Sequence, residues 1–501
     1  MRTSFLKGLI AVAATTQAAL AQSSNSSTRA SSTSSAFSSL PTTATSSSTA
    51  VPNVTYSYPL YIFGNFAGAV LRNVSVNQIF NQRSLAAIGS SAVIKPNVNT
   101  VYSRAVLDLS TNDVVLTIPE ITDRYWVYPI YDSFGNTIAT IGIVNNDTAG
   151  SYLIRRADDV NSKPGFINDS SLVQSSIDNL RDNVKYKGII NLPTTYGTIL
   201  IRFLVLQNST SDLNIIQRYQ NASSLVEVPR KASYAALPPN NASLSSLAPS
   251  GSLLGINTPP KLLDFASRFV LYNQPEVASE RQRVAGILGQ AGIYDGQYSP
   301  PSGVKMTQAV RIANSSIAAD VTNPANIRKQ TSDWQVSTEG YQGNFGYQQL
   351  PAQQVLYPGY HSTGFTSQFS LAPNKSLLWT FSGKPPVQAQ DFGFWSVTVY
   401  GDDQYLIPNP IGRSSVSDRT LTLTYQGTNQ TIYGPTANAT RDGPFQVLLQ
   451  PADIPLPANW TGNWLPVARN FSFITRWYVP YPALTNGSYV YPKIETIDAV
   501  L

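Results

Sequence analysis

Short apolar runs, bounded by Gly, Pro, Asn, Asp or Ser, recur along this chain and read as strands. Residues 113–119 form one run, 120–123 turn the chain, and 124–131 form a second run rich in aromatics. Alternation places Trp126, Tyr128, Ile130 and Asp132 on one face of it, and Tyr125, Val127 and Tyr131 on the other. Pro129 cannot donate to a ladder, so an edge strand or a bulge is expected there. Residues 138–144 give a third strand, and 198–206 a nearly continuous apolar strand interrupted by Arg202. Asp212 then stands where a helix running to Gln220 would be capped.

Past residue 240 the pattern changes. Residues 240–259 are rich in Ser, Leu, Asn and Pro and read as a linker. Helical segments are expected over 261–272, 276–288 and 304–319. The first carries Leu262, Leu263, Phe265, Phe269 and Val270 at helical spacing, and Gly292 and Gly296 fall in the loop between the other two. From Trp334 onward strands return at 376–381, 394–400, 420–425, 445–449 and 471–479, with turn signals between, as in a sandwich or jelly roll. The expected fold class is mainly β with α segments (α+β). A β-rich domain would span 54–240, a linker and helical connector 241–330, and a jelly-roll-like β-sandwich 331–501. One internal echo stands out: Trp126…Tyr131-Asp132 and Trp395…Tyr400-Gly-Asp402 share their Trp-to-Tyr spacing. Two related half-folds facing one another would produce it, and so would chance.

Composition adds an address. A short positive stretch precedes a mostly apolar run over 8–20, closed by Ala19-Leu20-Ala21. This reads as a secretory signal over 1–21, with Gln22 first in the mature chain. Residues 22–53 are dominated by Ser, Thr and Ala and read as an unfolded, O-glycosylated stalk. Asn-x-Ser/Thr sequons occur at Asn53, Asn73, Asn146, Asn168, Asn208, Asn221, Asn241, Asn314, Asn374, Asn429, Asn438, Asn459, Asn470 and Asn486, suiting a secreted glycoprotein. No later stretch reads as a membrane span, which needs about 20 apolar residues. The net charge of +6 falls to +4 once Arg2 and Lys7 leave with the signal. Only 12% of residues are charged and no basic run occurs, which argues against nucleic acid as a partner. The 27 tyrosines can stack on sugars or flat ligands, or simply fill cores.

The missing residues narrow the chemistry further. There is no cysteine and one histidine, His361, in a Gly/Pro-rich loop. Thiol catalysis, zinc sites with two or three His and two-His iron sites are excluded within one chain. A Ser-His-Asp triad would have to use His361. Acid–base groups are therefore expected among Asp, Glu and Tyr. No cofactor is expected; a hard cation such as calcium or magnesium, held by oxygen ligands, stays open.

A family resemblance follows from Pro96-Asn-Val-Asn-Thr-Val-Tyr-Ser103 and its sequel: Ala105, Asp108, Val114-Val-Leu-x-Ile-Pro119, Asp123-Arg-Tyr125, Tyr131-Asp132 and Ile141-Gly142. These resemble domain of unknown function 1254. Phe394-Trp-Ser-Val-Thr-Val-Tyr400, Pro408-Asn-Pro410, Arg413, Asn463-Trp-Leu-Pro466 and Phe471…Arg476-x-Tyr478-x-Pro480 resemble its usual partner, domain of unknown function 1214. The resemblance implies a two-part, mainly β protein of a kind found in bacteria and filamentous fungi. The sequons and stalk favour a fungus, where secondary metabolism is one setting. Where the family usually has Asn-x-Asp-Thr-x-Tyr, this chain has Asn97-Val-Asn99-Thr-Val-Tyr102, so a charge is absent.

The catalytic candidates are Asp123, Tyr131 and Asp132, with Glu120 and Asp402 as further carboxylates for a paired mechanism. Asp123 and Arg124 could equally be a turn and a surface ion pair. Arg202 needs a buried partner, Asp108 or Asp132, or a ligand anion. Ligand-binding candidates are Asn97, Asn99, Tyr102, Arg124, Arg202, Trp395, Tyr400, Arg413, Trp464 and Arg476. One functional expectation is a secreted hydrolase, lyase or isomerase, independent of His and Cys, acting on a glycan or a small polyhydroxylated or secondary-metabolite-like molecule. The other is a non-catalytic carbohydrate-binding or cell-surface protein. Integral membrane association is not expected; self-association into a homo-oligomer stays open.

Overall fold

The alternating runs of the first half become ten strands in two sheets. The computed structural model describes residues 51–90, 95–157, 163–171, 184–230, 259–270, 275–303, 327–337, 348–361, 366–456 and 458–501, with single positions at 173, 273, 305, 307–309, 311 and 312. The signal segment, nearly all of the stalk, the linker up to 258, most of the third helical segment and the sequons Asn241 and Asn314 lie outside the described residues. The strands are β1 (Phe80–Asn81), β2 (Thr100–Asp108), β3 (Asn112–Ile118), β4 (Trp126–Asp132), β5 (Thr137–Gly142), β6 (Gly150–Arg156), β7 (Gly165–Ile167), β8 (Tyr186–Leu192), β9 (Tyr196–Leu204) and β10 (Ser224–Pro229). They order as β1-β2-β9-β4-β5 and β10-β3-β6-β8-β7. Period-two alternation turns Trp126, Tyr128 and Ile130 inward with Ile199, Ile201 and Phe203, against Val114, Leu116, Tyr152 and Ile154 of the other sheet. Each such buried side chain contributes roughly 1.5–3 kcal/mol.

Two local expectations change here. β4 lies between β9 and β5, so Pro129 is not on an edge. The ladder to β9 breaks at Tyr128–Pro129 and resumes at Ile130, and the register with β5 shifts after Ile130, so the bulge accommodates the missing donor. The helix expected from Asp212 is α2 (Thr210–Ala222; α1 is described below), and its cap is Ser209, whose hydroxyl accepts from the Asp212 amide. The Asp212 carboxylate is occupied elsewhere, by the Leu206 and Gln207 amides and by Arg124.

Helices cover part of the outer face of the first sheet. α1 (Val51–Leu71) begins inside the segment read as stalk and buries Leu60, Phe63, Ala67 and Val70. These meet Leu263, Phe265 and Phe269 of α3 (Pro259–Val270), Leu288 of α4 (Arg281–Gln290), and Val106 and Tyr196 of the sheet. Among the described residues no helix is long and apolar enough to cross a membrane.

After the hairpin β11 (Ile293–Tyr294) and β12 (Gln297–Tyr298) come β13 (Ile327–Lys329), β14 (Trp334–Ser337), β15 (Val355–Leu356), β16 (Gly359–Tyr360), β17 (Thr366–Ser370), β18 (Lys375–Phe381), β19 (Trp395–Gly401), β20 (Ser415–Ser417), β21 (Phe445–Pro451), β22 (Trp464–Val467), β23 (Asn470–Tyr478) and β24 (Lys493–Asp498). One sheet orders β15-β23-β19-β20, with β17 also on β23; the other orders β22-β21-β18-β24. Trp379, Trp395, Trp477 and Phe473 fill the core between them. The strand expected over 420–425 is absent. Only isolated bridges form at Thr424 and Tyr425, because the Asn463 side chain takes both the amide and the carbonyl of Thr424.

The second sandwich repeats the first. β10-β3-β6-β8 recurs as β24-β18-β21-β22, with the same sense at every pairing, including one parallel pair in each (β6 with β8, β21 with β22). The pairing β2-β9-β4-β5 recurs as β15/β17-β23-β19-β20. Trp126 lies opposite Phe203 as Trp395 lies opposite Trp477. The Leu204 amide donates to Tyr125 (3.0 Å) as the Tyr478 amide donates to Phe394 (2.7 Å). The copies pack by these matching faces, and the equivalent rings Tyr125 and Phe394 touch, centroids 5.8 Å apart, as an approximate twofold requires. Tyr125→Ala or Phe394→Ala is expected to cost about 3–5 kcal/mol and to split calorimetric unfolding into two transitions. One transition at the wild-type midpoint would show that this contact does not hold the halves together.

Candidate functional site

Register brings the same three side chains to the junction from each copy. Arg202 on β9 lies opposite Val127, the residue after Trp126, and Arg476 on β23 lies opposite Ser396, the residue after Trp395. Tyr102 on β2 pairs with Arg202 from the other side. Tyr357 directly follows β15, whose last pair is Leu356 with Trp477, and so continues toward Arg476. Tyr131 and Tyr400 lie opposite Thr198 and Ser472, each four residues before the arginine. Even-numbered positions of β9 and β23 face the junction because the odd-numbered ones, such as Phe203 and Trp477, fill the sandwich cores.

Both arginines are buried, each 5% exposed. Arg202 donates from Nη2 to the Gln348 carbonyl at 3.2 Å and stands 5.6 Å from the centre of the Tyr102 ring, while its Nε has no partner among the described residues. Arg476 donates to Thr398 Oγ1 at 3.3 Å and to the Tyr400 hydroxyl at 3.1 Å. Tyr400 donates in turn to the Pro96 carbonyl at 2.9 Å, and Asn97 Nδ2 donates to the Tyr478 hydroxyl at 3.0 Å. The Tyr131 hydroxyl is buried without a partner among the described residues. Lys95 donates to Thr366 Oγ1, and burial, then Arg476, hold its ammonium below the usual lysine range. Among the described residues no carboxylate pairs with Arg202, Arg476 or Lys95. Buried positive charge without counter-charge costs several kcal/mol per ion, so the arrangement is one that an anion would stabilise.

The phenols respond to this field. Burial pushes the hydroxyls of Tyr125, Tyr131, Tyr400 and Tyr478 up, so they remain neutral donors. Tyr102 goes the other way. Burial alone would raise it, but Arg202, hydrogen bonding to Thr100 and Asn97, and Arg476 together outweigh that and hold it below the ordinary tyrosine value. Tyr102 and Tyr357 are half-buried, unlike Tyr125, Tyr131, Tyr400 and Tyr478, which are buried. The touching rings at the contact between the sandwiches also differ by one hydroxyl. Tyr125 donates to Gln354 Oε1 at 2.9 Å, whereas its counterpart Phe394 carries the Arg419 guanidinium 4.6 Å from its ring centre. Arg419 donates to Asn99 Oδ1 at 3.1 Å.

Of the residues singled out in the sequence, Asn97, Asn99, Tyr102, Tyr131, Arg202, Tyr400 and Arg476 meet at this junction. The others do not. Arg124 is 1% exposed and holds Asp123 and the buried Asp212, each at 2.8 Å, while Tyr219 donates to Asp123; this is a closed network rather than a surface pair. Arg413 donates to the carbonyls of Thr461, Gly462 and Trp464 and to Thr422. The indoles of Trp395 and Trp464 donate to Tyr433 and to the Gln450 carbonyl from the core. Glu120 and Asp402 are exposed. The His361 ring is exposed, with Nε2 3.7 Å from Asp333. Neither expected carboxylate reaches Arg202: Asp108 accepts from the Ser110 amide, and Asp132 accepts from the Phe134 and Asn136 amides and from Asn136 Nδ2, each at 2.9 Å. Among the described residues no group of three His, Cys, Asp or Glu is placed to hold a metal. Tyr125, Tyr357, Tyr478, Lys95 and Gln348 were not among the candidate site residues. Two of them carried a signal in the sequence: Tyr478 lies two residues from Arg476 and therefore on its face, and Tyr125 alternates onto the face of Tyr131.

Asp132 is a titrating group outside the junction. Burial pushes its carboxyl up to about 7; the Asn136 hydrogen bonds oppose this and Glu276 adds to it. The folded protein thus keeps a proton that the unfolded chain releases above about pH 4. This contribution to stability is present at low pH and is lost as pH rises through about 7. Wild-type stability is expected to fall by a few kcal/mol relative to Asp132→Asn between about pH 5 and 8, read from chemical denaturation. Parallel profiles for the two proteins would overturn this.

Comparison with known proteins agrees with the two-part organisation. A family model described as "Protein of unknown function (DUF1254)" matches residues 76–227, and one described as "Protein of unknown function (DUF1214)" matches 367–482. No curated protein matches the sequence. Among solved structures, the VPA0106 protein from Vibrio parahaemolyticus is similar at 14% identity and a TM-score of 0.49, over 89% of this chain and 100% of that one. An uncharacterised protein from Burkholderia cenocepacia is similar at 11% identity and a TM-score of 0.39, over 88% and 87%. The chain carries the DUF1254–DUF1214 domain pair, in that order.

Proposed function

We propose that this chain binds a small organic anion between its two sandwiches and acts on it as a lyase or isomerase, with Tyr102 as the proton acceptor. The observation that carries this reading is a pair of buried arginines without a described carboxylate partner, flanking a tyrosine that they help hold below its ordinary range. A tyrosinate there would take a proton from carbon next to a carboxyl or carbonyl group. The guanidiniums would hold the negative charge that develops, inside a site that excludes most water. Hydrolysis by paired carboxylates has less support, since Asp123 and Asp132 are engaged elsewhere.

A second reading, anion binding without turnover, is favoured by the neighbouring phenols, which burial keeps protonated as hydrogen-bond donors. Secretion as a glycoprotein belongs to the same proposal. Every sequon asparagine whose side chain is described is exposed, whereas the buried asparagines Asn97, Asn99, Asn191 and Asn463 lie outside sequons.

Ultraviolet difference titration of the full chain separates the two readings. Wild type is expected to ionise one phenol below about 10, and Tyr102→Phe to lose that step. Deuterium exchange next to the carbonyl of a panel of 2-oxo and 3-oxo acids is expected to rise as pH passes up through that ionisation, and to fall by roughly 100-fold or more in Tyr102→Phe. If the early phenol ionises but no acid exchanges, the binding reading stands instead. If no phenol ionises early, Tyr102 loses its role.

A further inference from the structure

The site is made twice, and that limits what fits it. Each copy of the fold contributes an arginine, a tyrosine paired to it or continuing its register, and a second tyrosine opposite the residue four before the arginine: Arg202 with Tyr102 and Tyr131, Arg476 with Tyr357 and Tyr400. The two trios share one neighbourhood. Tyr102 and Tyr478 each feel both guanidiniums, and both guanidiniums feel Tyr357. Equivalent half-sites recognise the same chemical group. A guanidinium presents a planar fork that suits a carboxylate in bidentate contact. Among the described residues Arg202 Nε and the Tyr131 hydroxyl are buried donors without acceptors.

We infer that the ligand is a dicarboxylate, with one carboxylate held by Arg202 of the first sandwich and the other by Arg476 of the second. This rests on the reading of the junction as an anion site and deepens it. A monocarboxylate would leave one of two like buried charges uncompensated. A compact anion such as phosphate offers a single centre to two arms that approach from opposite sheets. A dicarboxylate supplies two equivalent ends and two charges, and leaves the chain between its carboxylates beside Tyr102.

Thermal shift and calorimetric titration of the full chain test this. The probes are malonate, succinate, glutarate and adipate, set against acetate, propionate and inorganic phosphate at matched ionic strength. One length of dicarboxylate is expected to bind at least about tenfold more tightly than any monocarboxylate or phosphate. Arg202→Gln and Arg476→Gln are each expected to erase that advantage. Both variants are expected to fold, since each removes an uncompensated buried charge; Arg202→Lys and Arg476→Lys, which keep the charge but lose the fork, should weaken the dicarboxylate specifically. Equal affinity for mono- and dicarboxylates, or dependence on one arginine alone, would overturn the dicarboxylate and leave the anion site standing. Preference for phosphate would do the same. Absence of binding by every anion in the series would remove both.

Discussion

Everything at the junction depends on one electrostatic constraint: two guanidiniums are taken out of water, close to one another, with no described acid between them. Water solvates an arginine far better than a protein interior does, and like charges add repulsion. The fold offsets this with what its strands supply. Carbonyls and hydroxyls accept from the guanidiniums, aromatic faces lie beside them, and one phenol shifts toward its anion. The closed network of Arg124 with Asp123 and Asp212 shows what the same chain does when an arginine is structural: its carboxylates arrive with it.

That constraint is sustained by duplication. Two sandwiches of one topology, packed by matching faces, bring equivalent strands to a common axis. An arginine in the middle of an apolar strand is an isolated anomaly in either copy alone. In the pair it becomes half of a shared feature. The helices α1, α3 and α4 cover only the part of the first sheet that the second sandwich leaves open, which is why they gather around Val106 and Tyr196 rather than around Arg202.

Much of this was legible along the chain, for reasons that can be named. Strands β3, β4, β9, β18, β19, β21 and β23 announced themselves because each combines an apolar run with flanking turn residues. The Trp-to-Tyr echo pointed to the duplication, since spacing along a strand survives when sequence does not. Arg202 stood out because charge in an apolar run needs an explanation. What stayed hidden depends on pairing between distant segments. The helix α1 does carry Leu60, Phe63, Ala67 and Val70 at helical spacing, but a Ser/Thr-rich stretch leads directly into it. The segment 420–425 has a strand's composition, yet the amide and carbonyl of Thr424 go to the side chain of Asn463, 39 residues away, while others of its backbone groups bond within nearby turns. Asp132 was a candidate partner for Arg202 because a charge within an apolar strand needs a buried counter-charge; the tight turn after β4 claims its carboxylate instead.

The difference between Tyr125 and Phe394 gives the junction a direction. A perfectly twofold receptor cannot tell the ends of a symmetric guest apart, and would hold it in two poses with equal weight. Here one side has a phenol that ties down Gln354, and the other has a bare ring under Arg419, which reaches Asn99. That phenol oxygen joins the different partners of Arg202 and Arg476 in making the two halves of the junction inequivalent, and regioselectivity in a duplicated protein can begin from such differences.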